Sequence, residues 1–146
     1  MKKMKIAIIL TMLFFRVYAP GEQCAYVIKP DKIYSHEDPK LYAFEAVESD
    51  FDPTIINHLG YGGILQEGQE MITEANIICQ KLDIPYHFVL RDRLDTKKAE
   101  LIFYAVQYFY NPHYDLERAC KIWNPKADKR YYQRIYKNYL KFKKSL

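Results

Sequence analysis

Leu41, Phe44, Glu48 and Phe51 fall at i, i+3, i+7 and i+10, so they share one face of a predicted helix that Pro53 is placed to end. Helical spacing returns in Met71, Ala75, Ile78 and Leu82, which predicts a helix over 69–82. A third helix opens at Asp95-Thr96-Lys97-Lys98-Ala99, carries Leu101, Ile102, Ala105, Tyr108 and Phe109 as a broad buried face, and ends at Asn111-Pro112. Residues 114–123 and 129–142 complete the set. In the last of these, Tyr131, Tyr132, Ile135, Tyr136, Tyr139 and Leu140 form a stripe that reads as core rather than ligand surface. Residues 24–39 read as a Pro-containing loop or short extended segment, 57–63 as a glycine-bearing loop lining a cleft, and 85–90 as a short strand or extended link. The pattern predicts a mainly α chain with no internal repeat, low-complexity segment or phosphate-binding loop.

Glu48 stands out because it continues an apolar stripe. Burial beside Phe44 and Phe51 disfavours the ionised carboxylate and raises its pKa, as a general acid working near neutral pH requires. A helix-end glutamate otherwise points into water, and the residues C-terminal to it decide between the two. Glu45, one turn earlier, reads as a solvated neighbour, and Asp52 before Pro53 as a turn residue.

Glu48-Ser49, then Gly60, then Gly63-Ile64-Leu65-Gln66, and finally Ala119-Cys120-Lys121-Ile122-Trp123-Asn124 resemble, in order and separation, the three motifs of the lytic transglycosylases. The resemblance spans residues 39–140, nearly all of the chain after its N-terminal segment. It implies a lysozyme-like fold of the goose-type lysozyme and lytic transglycosylase kind. In that family the Glu-Ser pair carries the only catalytic carboxylate, a Gly-Leu-Met-Gln-like run lines the cleft, and an Ala-x-x-x-Tyr-Asn-like helix end closes it. Carried over, Glu48 is the catalytic residue, and Ser49 a hydrogen-bond partner near it or near the substrate N-acetyl group. Gln66 becomes a polar group of the cleft, and Asn124 holds sugar or orients Glu48. Gly62 and Gly63 let the backbone approach the glycan closely, and Trp123 stacks on a sugar ring or serves the core. Trp123 stands where the family usually has Tyr, Pro125 where Gly is usual, and Glu67-Gly68-Gln69 where Ile-x-Pro is common. These departures bear on substrate preference more than on the fold.

The activity so implied is cleavage of the β-1,4 bond between N-acetylmuramic acid and N-acetylglucosamine in peptidoglycan, leaving a 1,6-anhydro end. Glu48 acts first as acid and then as base, and no metal or cofactor is needed. The alternatives are a lysozyme-type muramidase that uses water, and an inactive glycan-binding protein of the same fold. The implied partners are peptidoglycan glycan strands and an envelope, secretion or conjugation assembly.

The N-terminus adds a location. Lys2, Lys3 and Lys5 precede an apolar run over 6–15 that is too short to span a bilayer, so residues 1–21 read as a secretory signal and 22–146 as the catalytic domain. Cleavage before Glu22 leaves small residues at the required places, whereas a cut after Ala19 puts Pro20 first. The expected location is the periplasm or cell envelope. Removing Lys2, Lys3, Lys5 and Arg16 leaves 18 basic against 18 acidic residues, so the formal charge of +4 belongs to the signal. The remainder is polarised, with 10 basic and 17 acidic residues over 22–125 but eight basic and one acidic over 126–146. That end reads first as the solvated face of the last helix. It also has the charge to attract an anionic envelope polymer, while no specific nucleic-acid motif accompanies it.

A hydrophobic content of 49% and an aromatic content of 16% exclude a disordered chain. Fourteen Tyr and eight Phe supply rings for core and sugar contact alike. Cys24, Cys79 and Cys120 permit at most one internal bridge; Cys79 with Cys120 is one pairing, and two buried free thiols is the other. The four histidines are scattered singly, so neither a metal cluster nor a Cys-His nucleophile pair is expected.

Overall fold

A computed structural model describes residues 38–145, and the chain is mainly helical. Helix α1 runs Pro39–Glu48, α2 Gln69–Lys81, α3 Thr96–Tyr110, α4 Leu116–Trp123 and α5 Lys129–Lys143, with a 3-10 turn at Leu90–Leu94. Among the described residues, four of the five helices start on an aspartate, Asp38, Asp95, Asp115 or Asp128, whose side chain accepts a first-turn backbone N–H. Cys24 and the segment read as a secretory signal lie outside the described residues.

The central element is α3, because both of its sides are buried. Phe103 faces a cluster built from Leu41 and Phe44 of α1, Leu65, Trp123 of α4 and Ile135 of α5. Ile102 and Val106 face a second cluster with Ile72, Ile78 and Cys79 of α2 and with Phe88. The sequence face of Leu101, Ile102 and Ala105 belongs to the second cluster alone, and a one-stripe reading leaves Phe103 out. Cys79 and Cys120 are buried free thiols, one in each cluster. At the α3 end, Asn111 donates to the Asp115 carbonyl at 2.7 Å and accepts from the Asp115 amide at 3.0 Å. Both contacts turn the chain into α4. Tyr114 sits in this turn with φ 49°, so α4 begins later than its apolar pattern suggests.

Three sequence expectations need correction. The first helix stops at Glu48, well before Pro53, because Asp50 and Phe51 take left-handed backbone conformations with φ 54° and 64°. Phe51 therefore leaves the helical face, is 41% exposed, and meets Tyr42 and Phe142 edge-on. Glu45 is no solvated neighbour but is buried at 2% exposure. In α5 only Ile135 is fully buried, while Tyr136 is 43% and Leu140 38% exposed. Residues 84–89 form an extended link, and the only β pairing among the described residues is a pair of isolated bridges, Ile56 to Gly62 and Gly62 to Glu67. No helix among the described residues is long and apolar enough to cross a membrane.

Candidate functional site

Helix α1 is fixed at both ends, which sets where Glu48 stands. At its start, Asp38 accepts from the Lys40 amide at 2.9 Å and, through its other oxygen, from the Tyr104 and Tyr114 hydroxyls at 2.7 Å each. Lys40 also donates to the Tyr114 carbonyl. At its end, the buried Ser49 hydroxyl donates to the Ile64 carbonyl at 2.7 Å, tying the last turn to the glycine loop.

That loop is held almost entirely by its own polar groups. Asn57 accepts from the amides of Leu59 at 2.9 Å and Tyr61 at 3.1 Å, and donates to Gln66 Oε1 at 3.1 Å. Gln66 donates back to the Gly63 carbonyl at 3.0 Å and the Ile55 carbonyl at 3.2 Å. From outside, Arg93 donates to the Gly60 carbonyl at 2.5 Å and, more weakly, to that of Glu67 at 3.3 Å. Asp92 holds the 3-10 turn that presents Arg93, accepting from the Val89 amide at 2.9 Å and from Lys98 Nζ at 2.6 Å. Gly63 has φ 81°, and a Cβ there would lie 1.7 Å from the Arg93 carbonyl oxygen. Its lack of a side chain thus admits the Arg93 backbone.

Between this loop, the end of α1 and the end of α4 lies a cleft of about 510 Å³, within the usual range for ligand sites. Glu48 enters it from α1, Asn57, Leu59, Tyr61 and Gln66 from the loop, and Trp123, Asn124, Pro125 and Lys126 from the α4 terminus. Among the described residues Glu48 is the only acid lining it. Tyr131 of α5 donates to Glu48 Oε1 at 2.5 Å. Burial raises the Glu48 pKa, against the opposing pull of the Tyr131 hydrogen bond and the Arg134 charge. Such a carboxyl holds its proton to higher pH than an exposed glutamate and can deliver it to a ligand atom in the cleft.

Comparison with protein-family models, curated proteins and solved structures finds no match to this chain.

Of the residues singled out in the sequence, Glu48, Gln66, Trp123 and Asn124 meet at the cleft although they are up to 76 positions apart. Ser49, Gly62 and Gly63 do not line it. They are buried behind it, where Ser49 latches the helix to the loop and Gly62 pairs with Glu67 through reciprocal amides at 2.8 and 3.1 Å. Trp123 is mostly core: its indole N–H donates to the Leu65 carbonyl at 3.1 Å and its ring packs 4.9 Å from that of Phe103. Asp52 is a turn residue whose carboxylate accepts from the Thr54 amide and hydroxyl, which lower its pKa. Tyr131 and Lys126 are additions that sequence reasoning missed, while Asn57 and Tyr61 belong to the 57–63 loop that it placed at the cleft without naming either residue. Asn57 three residues before Gly60 carries a recognisable turn signal, whereas Tyr131 looks like any other member of its stripe. Among the described residues no cluster of His, Cys, Asp or Glu is arranged to hold a metal ion.

Proposed function

We propose that this chain is a peptidoglycan lytic transglycosylase with a lysozyme-like fold and Glu48 as its acid/base. The observation that carries the reading is the convergence of Glu48, Gln66 and Asn124, the marked residues of three separate motifs, on one cleft in which Glu48 is the sole carboxylate among the described residues. A protonated Glu48 gives its proton to the glycosidic oxygen while positive charge builds at the muramoyl anomeric carbon. The resulting carboxylate takes the proton of the muramoyl C6 hydroxyl, whose oxygen closes on the anomeric carbon. The substrate N-acetyl group assists at that carbon in place of an enzyme nucleophile. One side chain serves both steps, so the raised pKa favours the acid form at the start, and the Tyr131 hydroxyl steadies the carboxylate formed midway.

A cleft with one acid among the described residues also favours this reading over an inverting hydrolase, which needs a second carboxylate to activate water. Glu45, one turn before Glu48 on α1, is buried against Glu100 and does not line the cleft. The test is digestion of purified peptidoglycan by residues 22–146, with released fragments read by mass spectrometry. Anhydro-muramoyl ends are expected; reducing ends one water heavier would instead identify a muramidase.

A further inference from the structure

The cleft does not stop at Asn124. A second concavity of about 370 Å³ shares Asn124 with the cleft and is walled by Tyr131 and Tyr132. A third, shallow one of about 550 Å³ shares Tyr132 with the second and follows α5 past Tyr136 and Leu140 to Lys144. From Tyr132 to Lys144 the helix advances about 18 Å at 1.5 Å per residue.

The surface of this track is not core left uncovered at random. The Tyr132 and Tyr136 rings lie nearly parallel, 24° apart with centroids at 5.9 Å, and Tyr139 continues the row at 6.3 Å. Lys137, Lys141 and Lys144 border the same concavity, and none of them makes an ion pair with a described residue. Tyr136 is exposed, while Tyr132 and Tyr139 are half-buried against the first core cluster and show only part of their rings. A ring surface bordered by lysines that form no ion pair with a described residue suits a ligand that is apolar on its faces and anionic at its substituents.

We infer that the solvent face of α5 is an extended subsite for an anionic glycan strand, continuous with the Glu48 cleft. The inference rests on the proposed glycan-cleaving reading and adds where the polymer lies beyond the scissile bond. Sugar rings stack on Tyr132 and Tyr136, and carboxylates carried at intervals along the strand meet Lys137, Lys141 and Lys144. The middle concavity is mixed in charge, with Glu117 and Asp128 beside Lys121 and Lys129, which suits a strand with spaced charges better than the unbroken phosphate row of a nucleic acid.

The test uses the Glu48→Gln background, so that the polymer is held without being cut, and measures cosedimentation with insoluble peptidoglycan. Into it go Tyr136→Ser with Lys141→Gln, both exposed positions, and separately the charge-conserving Lys141→Arg. The double variant is expected to weaken binding about tenfold, or about 1.4 kcal/mol, with an unchanged unfolding midpoint, while Lys141→Arg binds as the parent does. Binding by the double variant equal to its parent overturns the inference. So does an equal loss of binding to single-stranded DNA or to anionic phospholipid vesicles, which would make the face a general polyanion surface. Cleavage is scored separately with Glu48 restored. A protein that never cuts glycan yet loses sedimentation in the double variant keeps the subsite and removes the enzymatic reading. Retained cutting of short soluble fragments by the double variant with lost polymer binding supports both.

Discussion

At the scale of single residues, Glu48 owes its chemistry to an opposition between burial, which raises its pKa, and Tyr131, which lowers it. Tyr131→Phe removes the lowering partner, so Glu48 stays protonated to higher pH. If the protonated form starts the reaction, the alkaline limb of the pH–rate profile is expected to move upward in this variant. The rate at its optimum should fall roughly tenfold, about the worth of one hydrogen bond to a charged group. An alkaline limb that moves downward contradicts this coupling. Glu48, Gln66 and Asn124 were legible in the sequence because short motifs mark them. Tyr131 was not, since periodicity tells which face of α5 turns inward but not which hydroxyl on that face meets a carboxylate. Ser49 and Gly63 were legible as special positions only: one latches to Ile64 and the other admits the Arg93 backbone, contacts between segments far apart in the chain.

At the scale of elements, the five helices of the described residues were readable from apolar spacing, with Asp95 marking the start of α3, and their bounds were met to about a residue except at the end of α1 and the start of α4. The left-handed residues Asp50 and Phe51 stop α1 early, and Tyr114 delays α4; none of the three is a glycine that would announce such a conformation. The loop between α1 and α2 shows what sets its shape. Gly60 and Gly63 both have positive φ, but a Cβ at Gly60 meets nothing within 4 Å while one at Gly63 strikes the Arg93 carbonyl. Gly60→Ala is therefore expected to cost about 1 kcal/mol, the left-handed penalty alone, and Gly63→Ala at least about 3 kcal/mol because backbone must also shift. Urea denaturation of the two variants checks the difference, and equal losses would contradict the role given to Arg93. The exposed reach of α5 likewise escaped the sequence, because a tyrosine stripe has the same spacing whether it is covered or open.

At the scale of the whole molecule, two buried acids tie stability to pH. Burial, and then the neighbouring Glu100 charge, push the Glu45 pKa from 4.5 to about 8. Burial also lifts Glu67 well above the usual range against the pull of Arg93, and its carboxyl oxygens have no hydrogen-bond partner among the described residues. A raised folded-state pKa stabilises fully below the unfolded value and loses that contribution as pH climbs through the folded one. The protein is thus expected to lose stability between pH 5 and pH 8, and Glu45→Gln to flatten that slope, both read from unfolding midpoints. A wild-type midpoint that rises over this interval would contradict the assignment. Glu45 and Glu48 sit one helical turn apart and both carry raised pKa values, yet only Glu48 reaches the cleft. The most direct measurement is the rate at which wild type, Glu48→Gln and Glu45→Gln release soluble fragments from peptidoglycan at one pH, with folding verified for each. The expected result is a loss of about 10²- to 10⁴-fold for Glu48→Gln, the usual worth of a general acid, and near-wild-type release by Glu45→Gln. Release that survives Glu48→Gln, or that disappears only with Glu45→Gln, would place the chemistry elsewhere.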